Sequence, residues 1–118
     1  MKSLNRFAEI ITKHPQADIP IKGVKSHLVQ AEEQQFIFMY FEHDVIIPAH
    51  SHAAQWGVVL SGTMNLHIDG TVQTLKKGDT YYIGNDVRHS VTIKKGYSDL
   101  TLFDQRDRYK IKSQHENQ

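Results

Sequence analysis

The chain has 118 residues, no cysteine, and 14 Lys and Arg against 13 Asp and Glu, for a formal charge of +1. That length suffices for one domain with its own core, so folding needs neither a disulfide nor a structural metal, and any metal must be held by nitrogen and oxygen ligands. Charges of both signs are spread along the chain without a basic stripe, and the longest apolar run, Phe36 to Phe41, is far too short for a membrane span; no nucleic acid and no membrane are expected as partners, and a soluble cytoplasmic protein is expected.

Residues 1–22 read as an N-terminal helix and arm. Leu4, Phe7, Ala8 and Ile11 follow helical spacing after Ser3, a good cap residue, and Pro15 closes the segment. Residues 23–105 read as short β-rich runs: Val24 to Gln30, Gln35 to Phe41, Val45 to Ile47, Val58 to Leu60, Thr63 to Ile68, Thr71 to Leu75, Thr80 to Ile83, His89 to Ile93 and Tyr97 to Phe103. Ser61-Gly62, Asp69-Gly70, Lys77-Gly78-Asp79 and Lys95-Gly96 punctuate them, and Asp69-Gly70 suits a two-residue type I′ hairpin. Such spacing implies an all-β sandwich, jelly roll or barrel. Residues 106–118 form a polar C-terminal tail that is expected to fray or pack loosely, and nothing divides the chain into more than one domain.

Strand parity gives directions. Val87, Val91 and Ile93 share a face with His89, so His89 points toward the core, whereas Met64, Leu66 and Ile68 send His67 outward. Arg88 has the parity opposite to His89 and faces out. The run Phe36 to Phe41 is apolar on both parities, so its second face needs a cover, either the helix or a second subunit. A homodimer built on this sheet is expected.

Two histidines, His50 and His52, lie two residues apart and present two imidazoles to one space if the chain is extended there. With inward-facing His89 they suggest a divalent metal centre, in which imidazole accepts Fe, Mn, Ni or Zn alike. His14, His27, His43 and His115 have no companions at ligand spacing and are expected to be solvated. Tyr40, Trp56 and Tyr82 are pocket candidates, and Tyr81 is a further candidate for hydrogen bonding to a ligand. Asp79 is expected to stabilise the turn at Gly78.

These residues resemble the cupin superfamily, whose first motif reads G-x5-H-x-H-x(3,4)-E-x6-G and whose second reads G-x5-P-x-G-x2-H-x3-N. The first corresponds to His50-Ser51-His52, Gln55 and Gly62, and the second to Gly78, Gly84, Asp86 and His89. The resemblance implies a cupin-type jelly-roll β-barrel with metal ligands His50, His52 and His89 and with Gln55 in the place of the carboxylate. Asp44, Gln55, Gly84, Asp86 and Ile93 depart from the motif residues, and Gln55 lies one residue nearer the histidine pair. Gln55 is therefore either a fourth ligand or an outer residue that orients water or substrate.

An amide neutralises no charge, so three imidazoles would leave the ion formally +2 and favour an anionic ligand. The leading expectation is a metal-dependent enzyme acting on a small anionic or oxygenated molecule, with the dioxygenase-type chemistry that the resemblance implies for three-histidine sites. Metal-dependent isomerisation or decarboxylation, and a non-catalytic module that binds or senses a small-molecule ligand, are the alternatives.

Overall fold

A computed structural model describes residues 7–113. They form one helical turn, α1 (Glu9–Thr12), and nine strands: β1 (Val24–Gln30), β2 (Gln35–Phe41), β3 (Val45–His50), β4 (Gln55–Ser61), β5 (Thr63–Ile68), β6 (Thr71–Lys76), β7 (Thr80–Ile83), β8 (His89–Ile93) and β9 (Ser98–Phe103). Two antiparallel sheets result, one ordered β1-β2-β9-β4-β7 and the other β3-β8-β5-β6. Successive strands such as β3 and β4 belong to different sheets, so the chain passes back and forth across a shared core, as in a jelly roll.

Alternation drives this arrangement. In β2, Gln35, Ile37, Met39 and Phe41 are buried between the sheets while Phe36, Phe38 and Tyr40 are only half-buried on the outer face. The inner face joins Leu28, Ile37, Val59, Leu66 and Ile83 in one core. Asp69 and Gly70 both have positive φ, 52° and 73°, as a type I′ turn between β5 and β6 demands. Gly62 also has positive φ, 74°, and a Cβ there would lie 2.6 Å from the Tyr97 Cα, so only glycine fits.

The outer face of the five-stranded sheet carries apolar rows in register. Phe36 lies opposite Leu102, Leu102 opposite Trp56, and Trp56 opposite Tyr82; the next row runs Phe38, Leu100, Val58. Phe7 covers one end, its ring 5.7 Å from Phe38 and 6.2 Å from His27.

Three sequence expectations need adjustment. The helix expected from Leu4 is a single turn among the described residues, and Met1 to Arg6, like His115, lie outside them. His27 is not solvated: it is buried under the N-terminal arm, with its Nδ1 2.9 Å from the His14 carbonyl oxygen. The segment Arg106 to Ser113 does not fray. Asp18 N–H donates to the Lys110 carbonyl, Lys112 N–H donates to Gln16, and the Gln35 amide clasps the Tyr109 backbone through both its ends.

Candidate metal centre

His50 ends β3 and His89 begins β8, directly opposite one another in register. Strict alternation from inward Ile47 would turn Ala49 inward; the register shift between Ile47 and His50, across Pro48, re-phases the strand so that His50 faces in. His52 stands beyond the end of β3, in the connection to β4. Its backbone carbonyl accepts the Asp86 N–H at 2.8 Å, tying the turn before His89 to the His50–His52 segment. Asp86 has a φ of 61°, a left-handed conformation that aspartate tolerates better than most side chains.

The three rings meet, with centroids 4.4 Å apart for His50 and His89, 4.8 Å for His52 and His89, and 5.1 Å for His50 and His52. Each Nδ1 faces a backbone carbonyl: Pro48 for His50 at 2.9 Å, Ala53 for His52 at 2.7 Å, and Val87 for His89 at 2.9 Å. A carbonyl only accepts, so each Nδ1 carries the hydrogen and each Nε2 of the neutral ring keeps its lone pair.

Burial lowers His52 to about 4, against the Ala53 hydrogen bond and with help from the charges of Arg108, His89 and His50. Burial likewise lowers His89, opposed by the Val87 bond and assisted by His50 and Arg108. These two imidazoles are therefore neutral and able to ligate at physiological pH.

The candidate ligand nitrogens lie within 4.8 Å of one another. Two imidazoles on one ion stand at most roughly 4.2 Å apart, so a slight rotation of the rings closes the cluster. Oriented rings with fixed tautomers fit a divalent metal.

Below the histidines is a cavity of about 60 Å³, walled by apolar residues including Ile47, Met64, Ile83, Val91 and Phe103. At roughly 10–15 Å³ per water-sized occupant it holds about four to six such groups. A wider vestibule of about 550 Å³ opens outside it, between Ile19, Pro48, His50, Arg108 and Tyr109. Arg108 lines both spaces and stacks on the rings of Tyr109, at 4.5 Å, and Phe103, at 5.6 Å. Its buried Nε has no hydrogen-bond partner among the described residues.

Gln55 begins β4, points inward and lines the cavity. Its Nε2 is 3.4 Å from the Tyr81 hydroxyl, which donates to Asp99 Oδ2 at 3.1 Å; the Tyr97 hydroxyl donates to the same oxygen at 2.7 Å. Asp99 is only 2% exposed, and its Oδ1 has no partner among the described residues. Burial raises Asp99 to about 7, partly offset by the bonds from Tyr97 and Tyr81, and raises both phenols well above their usual range.

The structure places Tyr81 inside, as one of the candidate ligand-bonding tyrosines, but Tyr40, Trp56 and Tyr82 do not line the cavity. Their strand parity turns them to the outer face, where Trp56 is 41% and Tyr82 66% exposed and both line a shallow surface pocket with Gln34, Leu102 and Asp104. Asp79 caps its turn as expected, accepting the Lys76 N–H at 2.9 Å. Sequence reasoning missed two residues. Asp99 shares inward parity with Thr101 and Phe103, a signal that was available; Arg108 follows the last strand, where no periodicity gives a direction.

No curated protein sequence matches the chain. Among solved structures, an RmlC-like cupin from Shewanella frigidimarina is similar at 19% identity and a TM-score of 0.70, covering 92% of this chain and 96% of that one. KdgF from Halomonas sp. is similar at 16% identity and 0.67, covering 81% and 91%. A tryptophan-to-phenylalanine variant of oxalate decarboxylase from Bacillus subtilis is similar at 20% identity and 0.68, with 80% of this chain matching 28% of that one. At such identities the likeness concerns the fold. The Cupin domain family matches residues 36–104, from β2 through β9 with all three histidines and Gln55, and the chain therefore belongs to that family.

Proposed function

We propose that this cupin is a metal-dependent enzyme acting on a small anionic or oxygenated molecule, with His50, His52 and His89 as ligands of a divalent ion and Gln55 as the fourth. The observation that carries this reading is the carbonyl behind each Nδ1, which leaves the three Nε2 atoms for one space. A divalent ion there supplies Lewis-acid stabilisation of negative charge. The chain adds the Arg108 guanidinium at the mouth to attract an anion, and apolar walls that limit the water around it. The cavity suits a molecule, or the reacting end of one, of roughly the size of a small carboxylate.

Dioxygenase-type chemistry is the first reaction to assay. Decarboxylation, the activity named for the Bacillus subtilis structure, is the second. Metal identity separates them: stoichiometric iron in the untagged protein, absent from a His50, His52 and His89 to Ala variant, directs the search to oxygen uptake, whereas manganese directs it to decarboxylation. Absence of any metal after reconstitution would refute the enzyme reading and leave a small-molecule binding module. We further propose a cytoplasmic homodimer joined through the outer face of the five-stranded sheet, on which apolar rows from four adjacent strands remain partly exposed.

A further inference from the structure

We infer that Asp99, acting through Tyr81, is a positioning residue that fixes which end of the Gln55 amide the metal centre receives. This rests on the metal reading above and adds the device that makes a neutral amide a defined ligand. Its basis is hydrogen-bond polarity. A phenol has one hydrogen to donate, and Tyr81 gives its hydrogen to Asp99 Oδ2 at 3.1 Å. The Tyr81 oxygen can then only accept, so the amide end that meets it, at 3.4 Å, must be Nε2. A flipped amide would set Oε1 against an oxygen with no hydrogen left to offer. Gln55 Oε1 is thereby the end left to the cavity, and an amide ligates a divalent ion through oxygen.

Two further features support the assignment. A Cβ on Gly57 would collide with the Tyr81 Cζ and hydroxyl oxygen, so β4 is cut away where the phenol crosses between Gln55 and Asp99. Tyr97 donates to the same Asp99 oxygen at 2.7 Å, leaving Oδ1 free to be ionised or protonated without reversing the order of donors. A carboxyl this deeply buried costs stability, so an apolar residue would serve packing better; the relay gives it a task.

The test is Co(II) titration of wild type, Tyr81→Phe, Asp99→Leu, Gln55→Leu and the Tyr81→Phe/Gln55→Leu double variant, read by affinity and by the visible absorption of the bound ion. Tyr81→Phe and Asp99→Leu are expected to weaken Co(II) binding about 10- to 100-fold and to shift its absorption. Asp99→Asn, which keeps an oxygen for both phenols, is expected to recover most of the loss in Asp99→Leu. In the Gln55→Leu background, Tyr81→Phe should have no further effect. Unchanged affinity and spectrum in Tyr81→Phe and Asp99→Leu, or an equal loss with Gln55 already removed, would overturn the relay while leaving the three-histidine centre intact. Wild type that takes up no Co(II) would overturn both.

Discussion

The Asp99 carboxyl is held up to about 7 because burial penalises its charge more than two phenols relieve it. The folded state therefore retains a proton that the unfolded chain releases near pH 4, and the stability linked to that proton is present below about pH 4 and lost as pH rises through about 7. Urea unfolding of the metal-free protein, compared with Asp99→Asn so that the histidine contributions cancel, should show the wild-type advantage falling by on the order of 3–4 kcal/mol across that window. A difference that stays flat with pH would mean that Asp99 ionises without penalty. Arg108 acts at the same scale: it holds a positive charge at the mouth with its Nε unmatched. Replacing it with Gln should weaken acetate binding to the Co(II)-loaded protein about tenfold, measured by perturbation of the visible spectrum, with little change in affinity for the ion.

Strands are the level at which the sequence was most readable. Alternation and turn residues located β1, β2, β5, β7 and β8 at their observed ends, because each of these runs is bounded by glycine or polar turns. Parity also aimed His89 and His67 correctly, since β8 and β5 pair without irregularity. In β3 parity counted from Ile47 would favour Ala49, and the shift at Pro48 gives the inward position to His50, a change that no periodicity reveals. Trp56 and Tyr82 lie on the outer face because their strands give the inner positions to Gln55, Gly57, Tyr81 and Ile83. β4 supplies the element-scale prediction. Gly57→Ala would press a methyl group into the Tyr81 ring, and it should destabilise the protein by about 1–3 kcal/mol in denaturant unfolding. The same substitution displaces the phenol from Gln55, so weaker Co(II) binding should accompany it.

At the scale of the whole molecule, two surfaces matter. The outer face of the five-stranded sheet leaves Trp56, Leu60 and Tyr82 exposed beside half-buried Phe36, Phe38 and Leu102. If a second copy covers it, Trp56→Glu should convert a dimer to a monomer in sedimentation velocity without lowering metal content, whereas a wild-type monomer would refute that assembly. The other surface is the mouth of the cavity, made by the two ends of the described chain. Ile19 and Ile21 come from the arm before β1, Arg108 and Tyr109 come after β9, and Ala17 bridges to Ile111. The Ile19–Ile21 side of this mouth precedes every strand in the chain, whereas the Arg108–Tyr109 side follows the last of them. A chain cut after Phe103 would therefore keep every proposed ligand but lose the Arg108–Tyr109 wall, leaving the metal centre open to solvent on that side.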